Sequence, residues 1–464
     1  MRPGRHRPGA RARRVHRARA DRALRGVRRP AHRRPQHAGD RMTATVQATP
    51  ERLAAARKAV ISSSIGAALE WFDIIVYASF AVVITRNFFP DAGEYGLIYT
   101  FATFATTYLI RPLGGMILGS YADRKGRKNA LTLTLMLMMV GTLLMAVAPT
   151  YAVVGVWGGV IILLSRLIQG FSAGGEFGTA TTFLIETAPH KKMFYASWQI
   201  AAQGASMLLA SAFGFALNTW LTEEALNDWG WRVPFFVGLL IGPVGLYIRA
   251  RLAEPEELGV QERRKSPLGA LLREHWGRLL AGSAVIGVAT ISVYMILYMP
   301  TFAITNLDIP PTAAYLGGVV AGTITIFGSP YVGRLADRVG PARIMTWAAV
   351  AALVLAWPIF QIIVSLRSVA GLVIAIGLLG IIMTFYFAPL PGLLSNMFPA
   401  EVRGTGLSVT YNVGVTVLGG IAPLVLTWLL EVTGNLNTPS VYYMAIAVLS
   451  LVGLYFVRKR YRLS

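Results

Sequence analysis

The stretch GSYADRKGRK (119–128) recurs 214 residues later as GRLADRVGPAR (333–343). Both copies read G-x-x-A-D-R-x-G, and each lies between two long apolar runs. Two copies of one polar loop at matching places are typical of membrane proteins that contain an internal structural repeat. The longest internal polar segment, 254–277, separates the two copies. We therefore predict an N-terminal half over 42–253 and a C-terminal half over 278–464.

The composition places most of the chain in a membrane. The 464 residues are 54% hydrophobic and 14% charged, whereas soluble proteins have about 25% charged residues. Repeated apolar runs of about 20 residues are typical of transmembrane helices. We predict an all-α integral membrane protein whose twelve transmembrane helices form two pseudo-symmetric six-helix bundles. The predicted spans are 60–88, 95–120, 128–149, 153–178, 194–220, 232–252, 278–303, 313–333, 342–365, 370–394, 405–431 and 440–458.

The loops between these spans alternate in charge. One set carries nearly all of the loop Lys and Arg, and it includes DRKGRK, HKK, DRVGPAR and the C-terminal RKRYR. The alternate set, which includes PDAGE, TEEALND and TGNLNT, is acidic or neutral. Because positively charged loops stay on the cytoplasmic side, we predict that both termini and the 254–277 loop are cytoplasmic.

The N-terminal segment 1–41 contains 15 Arg and 2 Asp, and so it holds 13 of the 22 net positive charges. It lacks the apolar region of a signal peptide and the aromatic residues that stack on bases. We expect this segment to be disordered and not to bind nucleic acid. Its bias towards Arg, Ala, Pro, Gly and His is typical of translated GC-rich DNA, so we expect translation of the native protein to begin at Met42.

Several kinds of chemistry are excluded or unsupported. The sequence has no Cys, which excludes disulfides, thiolate catalysis and Cys-ligated metal sites. It contains no GxxxxGK[ST] phosphate loop, so an ATP-driven pump is not supported. We predict that the protein is not an enzyme, binds no metal and needs no cofactor. The energy source is then an ion gradient, or the gradient of the substrate itself.

Twelve spans with this repeated loop resemble the major facilitator superfamily. In that family the Asp and Arg of the loop hold helix ends together on the cytoplasmic side in one conformation. The resemblance implies such a conformational latch in both halves, where glycine permits close helix approach. The predicted latch residues are Gly119, Asp123, Arg124, Gly126, Arg127, Gly333, Asp337, Arg338 and Gly340.

Further stretches resemble the metabolite:proton symporter branch of that superfamily. The resemblance implies a multi-pass carrier of the bacterial inner membrane that imports a small organic anion with protons, by alternating access. FYASWQIAAQG, SAGGEFG and WPIFQ are most similar to carriers of citrate and related tricarboxylates, followed by dicarboxylates such as 2-oxoglutarate. Ile74 departs from the branch, which usually has an aromatic residue there. The stretches that carry the resemblance are ALEWFDIIVY (68–77), RPLGG (111–115), SRLIQGFSAGGEFG (165–178), DWGWRVPFF (228–236) and MFPAEVRGTG (397–406).

Two other functions stay open at this point. A proline/betaine:proton symporter of the same branch would carry a zwitterion through the same fold. A membrane sensor that binds a metabolite without moving it would usually have a large soluble signalling domain, and the loops here are too short for one. The fifth span lacks the Gly-Pro pair of proton-coupled drug exporters, which argues against export. We expect a monomer whose partners are the lipid bilayer, the organic anion and protons.

The first span places two acids, Glu70 and Asp73, in an apolar run. Charged residues inside a membrane usually face the bundle interior and mark a transport pathway. At a spacing of three they share a helix face, with about 5–6 Å between their Cβ atoms, and Tyr77 lies on the same face. Two acids this close favour the protonated form of one of them, as a proton-coupled carrier requires. Alternatively, one acid is an ion-pair partner of Arg111 or Arg166.

Arg166 in the fourth span stays charged when it is buried. It therefore meets either the carboxylate of the substrate, once a proton has neutralised an acid, or a permanent partner, Asp73 or Glu70. We expect Arg111, just before Pro112, to lie near the cytoplasmic end and to extend its guanidinium to the headgroups. The residues predicted for proton coupling and substrate binding are Glu70, Asp73, Arg166 and Glu176. Further predicted lining residues are Tyr77, Gln169, Gln199, Gln203, Tyr298, Tyr386 and Asn412.

Overall fold

The computed structural model describes residues 68, 70–125, 127–174, 191–251, 271, 273–399 and 402–461. Within this part of the chain the regular secondary structure is entirely helical. The predictions made for 1–41, for Gly126 and for Glu176 fall outside the described residues. The same holds for most of the 254–277 loop, and for the side chains of Asp123, Arg124 and Arg127.

The first group of helices, called here the N-terminal helices, ends at residue 251. A short 3₁₀ segment, Pro90–Tyr95, connects α2 to α3, and a short helix, Glu223–Asp228, lies between α7 and α8. The longer described helices of this group are α1 (Glu70–Ser79), α2 (Ala81–Phe88), α3 (Gly96–Leu109), α4 (Arg111–Lys125), α5 (Arg127–Val147), α6 (Trp157–Ala173), α7 (Lys192–Trp220) and α8 (Val233–Arg251).

The second group, the C-terminal helices, begins at residue 276. A short helix, Pro311–Ala314, precedes α10, and a π-helical segment, Thr416–Gly420, separates α14 from α15. The group consists of α9 (Trp276–Asn306), α10 (Leu316–Val339), α11 (Pro341–Leu366), α12 (Val369–Phe387), α13 (Leu390–Met397), α14 (Arg403–Val415), α15 (Ala422–Thr433) and α16 (Thr438–Tyr461).

Each of the twelve predicted spans overlaps a helix or an interrupted run of helices. The interrupted spans are the first (α1 and α2), the second (α3 and α4), the tenth (α12 and α13) and the eleventh (α14 and α15). In the described part of the chain, seven helical stretches are long and apolar enough to cross a membrane, or eight if the bent pair of α1 and α2 counts as one span. Shorter apolar helices add Thr132–Val147, Trp157–Ala173 and Gly230–Leu240.

The break in the first span has no local cause in the sequence. The axes of α1 and α2 differ by 68°, yet neither Pro nor Gly occurs between Ala78 and Asn87. At the break, the carbonyl of Ser79 accepts a hydrogen bond of 3.0 Å from the hydroxyl of Tyr315, which belongs to the C-terminal half of the sequence. A distant contact therefore stabilises a bend that periodicity does not predict.

Proline accounts for two of the other interruptions. The second span breaks at Ile110, and α4 then begins with Arg111 and Pro112. The tenth span breaks at Ala388, and α13 begins after Pro389 and contains Pro391 in its first turn. Proline has no backbone N–H and fits the first turn of a helix, so a new helix starts readily at both places.

The surface of the helices is apolar where lipid would contact it. Phe327 and Trp347 are more than 70% exposed, and exposed apolar surface of this extent is expected in a bilayer rather than in water. Buried polar and charged side chains lie inside, among a large hydrophobic core that includes residues of both groups of helices.

Close packing of α7 against α10 joins the two groups along one side. A Cβ atom at Gly322 would lie 2.6 Å from the backbone nitrogen of Leu208. At Gly214 it would lie 2.3 Å from the ring of Tyr315. Small residues at these positions allow the two backbones to approach, which is the usual basis of helix association in membranes. On the side of the first span, the hydroxyl of Ser206 donates a hydrogen bond of 2.8 Å from α7 to the carbonyl of residue 68.

Candidate functional site

The two acids of the first span are buried, and each is paired with a different arginine. Glu70 Oε1 lies 2.9 Å from Arg111 Nη2, and Asp73 Oδ2 lies 3.2 Å from Arg166 Nη1. The sequence left the choice open between two coupled acids and an ion-pair role for one of them. The structure places both acids in ion pairs, and so two buried charge pairs follow each other along α1.

The Asp73–Arg166 pair lies among the N-terminal helices. Arg166 comes from α6 and is fully buried. Asp73 Oδ1 accepts a hydrogen bond of 3.0 Å from Thr142 on α5, which in turn accepts one of 3.1 Å from Gln169. Arg166 Nε and Nη2 have no hydrogen-bond partner among the described residues. This guanidinium therefore has donors that a further anion could use.

Tyr77 packs against the same arginine. The Arg166 guanidinium carbon lies 4.0 Å from the centroid of the Tyr77 ring, a cation–π contact that is strong when both groups are desolvated. The Tyr77 hydroxyl donates to the carbonyl of Thr100 at 3.1 Å and also contacts the hydroxyl of Thr103. Two hydrogen bonds to α3 thus fix the ring on which Arg166 rests.

The Glu70–Arg111 pair corrects one sequence-based expectation. Arg111 is only 2% exposed and does not extend to a membrane surface. Its guanidinium carbon lies 4.5 Å from the ring centroid of Tyr108, at the end of α3. Directly after the break at Ile110, Arg111 points to Glu70 instead of to the headgroups. Pro112 marks this break in the sequence, but the pattern does not reveal which way the side chain of Arg111 points.

Two tyrosines lie near Arg111, and one of them, Tyr108, was missed as a site residue. Tyr108 and Tyr294 contact each other at 85°, with ring centroids 5.4 Å apart, and both are fully buried. Tyr294 belongs to α9, so the C-terminal helices reach this ion pair. The only sequence signal for Tyr108 is its place three residues before Arg111, which is the helical spacing of neighbours on one face.

The predicted lining residues fall into two sets. Gln169 and Gln203 are buried, and Gln169 Oε1 and both polar atoms of the Gln203 side chain lack hydrogen-bond partners among the described residues. Gln199 is buried too, but it has a partner. These three polar side chains lie on α6 and α7. They are close in sequence to Arg166 and Ser206, which contact the first span.

The C-terminal lining residues have structural partners. The Tyr386 hydroxyl donates to the carbonyl of Val285 at 2.6 Å. The Tyr298 hydroxyl accepts from Thr427 at 3.3 Å. Asn412 donates to the carbonyl of Gly174 at 3.0 Å, and so it joins α14 to the end of α6. A ligand-binding role for these three residues stays a prediction.

The comparisons with known proteins agree with this architecture. Residues 63–423 match the family model described as Major Facilitator Superfamily. The chain belongs to the major facilitator superfamily. Members of this superfamily are membrane transporters with twelve transmembrane helices, so the predicted family and fold class are confirmed, and a transporter rather than an enzyme is supported at the level of the family.

Curated relatives of two kinds share about one third of their residues with this major facilitator protein. A citrate-proton symporter of Klebsiella pneumoniae is 33% identical over 87% of this chain and 92% of its own. A proline/betaine transporter of Salmonella typhimurium is 33% identical over 85% of this chain and 82% of its own. The crystal structure of a D-xylose-proton symporter has a TM-score of 0.68 at 18% identity, over 87% of this chain and 97% of that chain.

The second copy of the repeated loop connects the two groups of helices. Asp337 accepts hydrogen bonds of 3.0 Å from the backbone N–H groups of Met193 and Phe194, in the first turn of α7. A carboxylate there also interacts favourably with the helix dipole. Gly333 packs on Ser197, where a Cβ atom would lie 2.5 Å from the hydroxyl oxygen. Gly340 follows with φ of 100°, a conformation that glycine adopts without strain.

The remaining latch residues give less information. Arg338 is exposed, and Gly119 lies in α4 with its surroundings undescribed. Arg334 was not predicted as a latch residue. Its guanidinium carbon lies 4.7 Å from the ring centroid of Phe194. The latch function of these residues stays a prediction.

Proposed function

We propose that this protein is a proton symporter that imports a small organic anion, a tricarboxylate or dicarboxylate such as citrate or 2-oxoglutarate. The observation that carries the proposal is the buried Asp73–Arg166 pair, in which a proton can change the charge balance. Similarity to citrate-proton symporters over most of both chains supports the same class. Charged groups inside a membrane protein are costly and usually functional.

Protonation of Asp73 is the step that couples the proton to the substrate. A neutral Asp73 no longer balances Arg166, which cannot lose its own proton. An unbalanced buried charge is strongly unfavourable, so an anion becomes the preferred partner of the guanidinium. Its fork of N–H donors matches a carboxylate, and the unpartnered Nε and Nη2 atoms are available for it. Release of the substrate and of the proton on the other side restores the ion pair.

Movement of the two halves completes the cycle. In this proposal the halves, 42–253 and 278–464, rock about the central ion pairs as in other carriers built from repeats. The protein resides in the bacterial inner membrane with both termini in the cytoplasm, as the loop charges predict. The monomer is the functional unit, and Glu176 adds a second acid to the pathway.

A zwitterion symporter is the second candidate, because proline/betaine transporters are as similar in sequence as the citrate carriers. Proline or betaine has one carboxylate and one cationic nitrogen. Its carboxylate could pair with one arginine, but its cation would need an acid. Two arginines paired with two acids can accommodate either substrate class, so the substrate must be measured.

Uptake into proteoliposomes separates these functions. The purified full chain is reconstituted, an inward proton gradient is imposed, and labelled citrate and labelled proline are followed with and without a protonophore. We expect citrate uptake that the protonophore abolishes. Uptake of proline alone would instead support the zwitterion candidate. Absence of both, in vesicles that retain a proton gradient, would contradict the proposed substrate class. The Asp73→Asn/Arg166→Gln double variant serves as the inactive control.

A further inference from the structure

A second polar cluster lies where the N-terminal and C-terminal helices meet. Arg111 on α4 rests on Tyr108 of α3, and Tyr108 contacts Tyr294 of α9. Tyr294 also lies close enough to Arg111 to interact with it electrostatically, as does Tyr411 of α14. By contrast, the described contacts of the Asp73–Arg166 pair come from the N-terminal helices. The Arg111 cluster is therefore a charged site to which both groups of helices contribute.

The polar groups of this cluster are buried and only partly paired. The Nε atom of Arg111 lacks a hydrogen-bond partner among the described residues, and the hydroxyls of Tyr108 and Tyr294 interact with each other. Buried polar groups in folded proteins are nearly always hydrogen-bonded. An unpartnered guanidinium N–H beside two phenol hydroxyls therefore indicates a place for an oxygen-rich, negatively charged group.

The π-helical segment of the eleventh span touches both tyrosines. A Cβ atom at Gly420 would lie 2.2 Å from the Tyr108 ring, and one at Gly419 would lie 2.7 Å from the Tyr294 ring. The hydroxyl of Thr416 donates to the carbonyl of Tyr108 at 3.1 Å. Single π-helical turns inside α-helices are frequent at functional sites. This turn places glycine backbone against both rings, so a ligand bound at Arg111 would affect a contact between the two groups of helices.

We propose that Arg111, Tyr108 and Tyr294 form a second carboxylate subsite, which Glu70 occupies in this structure. The inference rests on the proposed function and specifies its substrate class. Glu70 and Asp73 are three residues apart on α1, with about 5–6 Å between their Cβ atoms, and each holds one arginine. The two arginines therefore lie close enough to hold two carboxylates of one molecule. A substrate with at least two carboxylates fits, and a monocarboxylate or a zwitterion fits only one subsite.

A competition series tests the number of carboxylates. Uptake of labelled citrate is measured with unlabelled propane-1,2,3-tricarboxylate, succinate, propionate or proline. We expect the first two to inhibit, and the last two to be about 10- to 100-fold weaker, since each lacks one set of hydrogen bonds to a charged group. Propionate that inhibits as strongly as succinate would overturn the second subsite.

Variants of the pair assign the effect to Arg111. The Glu70→Gln/Arg111→Gln double variant removes both charges, so neither is left alone in the interior. We expect its KM for citrate to rise about 10- to 100-fold and the difference between succinate and propionate to disappear. Glu70→Gln alone removes the competing carboxylate, so its KM should fall. If the ion pair has only a structural role, neither the KM for citrate nor the difference between succinate and propionate should change in these variants. That result would overturn the proposal.

Binding distinguishes failure of this inference from failure of transport. The unmodified protein in detergent is heated with and without citrate, beside the double variant. Stabilisation of the unmodified protein alone, without uptake, would support the subsite and contradict the proposed symport. Citrate uptake with an unchanged KM in the double variant would contradict the subsite and leave symport standing. Neither uptake nor stabilisation would contradict both.

Discussion

Asp73 is the residue on which the proposed proton coupling depends. An asparagine in its place would keep the shape and the Thr142 contact but could not bind the coupling proton, so the Asp73→Asn variant should lose gradient-driven uptake. We expect a decrease of at least about 100-fold, which corresponds to about 3 kcal/mol in the barrier. The measurement is initial uptake of citrate under an inward proton gradient, beside Glu224→Gln, which changes an exposed acid.

A second assay shows whether coupling or binding is lost. Exchange of internal for external citrate needs no net proton movement, so Asp73→Asn should retain it while net uptake fails. Equal loss of exchange and of net uptake would mean that Asp73 serves only to maintain the structure, and unimpaired net uptake would remove it from the mechanism.

The Tyr77 ring and its hydroxyl make separable contributions. Tyr77→Phe removes the hydrogen bonds to Thr100 and Thr103 but keeps the ring against Arg166. Tyr77→Leu removes both. We expect Phe to lower the free energy of unfolding by about 1 kcal/mol with uptake within about threefold. Leu should lower uptake more than tenfold, since a desolvated cation–π contact contributes about 2 kcal/mol. Similar uptake by both variants would show that the ring does not position Arg166.

At this scale the sequence predicts residues better than it predicts partners. Glu70, Asp73 and Arg166 are identifiable because charge inside an apolar run is costly. Which acid pairs with which arginine depends on how α4, α5 and α6 pack against α1. Arg111 was therefore expected at a membrane surface, and Tyr108 was not distinguished from the many other aromatic residues of the apolar runs.

Among the helices, the N-terminus of α7 depends on Asp337 from the end of α10. Asp337→Ala removes two hydrogen bonds to the first turn, which costs about 0.5–2 kcal/mol for a lost cap. The two helix ends should then separate more often. The chain has no Cys, so a single Ser197→Cys substitution under Gly333 reports this opening. We expect labelling by a maleimide to accelerate about 2- to 30-fold.

Arg338 offers a matched control for the same helix end. It is adjacent to Asp337 and exposed, so Arg338→Gln changes a charge without removing the cap. Labelling of Ser197→Cys should remain unchanged in that background. Equal acceleration by both substitutions would indicate that the net charge of the loop, and not the cap, closes this end.

The sequence predicts where helices occur but not how they are interrupted. Twelve apolar runs gave twelve helical units, because hydrophobic length is a strong local signal. The proline breaks at Ile110 and Ala388 have local signals that could have been used. The 68° bend at Phe80 has no local signal, because the group that hydrogen-bonds to the neighbouring carbonyl of Ser79 is the hydroxyl of Tyr315, which is distant in sequence. Contacts between distant segments leave no trace in a pattern read from one sequence.

For the whole molecule, α7 contacts the C-terminal half of the sequence near both of its own ends. Along this helix lie Met193, which contacts Asp337, then Ser206, which contacts the start of the first span beside the ion pairs, and then Gly214, which contacts Tyr315. At a rise of 1.5 Å per residue, Met193 and Gly214 are about 31 Å apart, close to the thickness of a hydrocarbon core. Ser206, which contacts the start of the first span beside the ion pairs, therefore lies between these two contacts along α7.

Alternating access predicts that the contacts at the two ends of α7 open in turn. Weakening one contact should therefore make that end open more often and the other end open less often. Tyr315→Phe removes the hydrogen bond to Ser79 at a cost of about 0.5–1.5 kcal/mol. A Ser211→Cys substitution reports that end, because Ser211 packs against Gly318. We expect its labelling to accelerate about 2- to 10-fold in Tyr315→Phe, while labelling of Ser197→Cys slows. Asp337→Ala should give the opposite pattern. Acceleration at both reporters in either variant would indicate general loosening of the fold, and would contradict a two-state exchange between the ends.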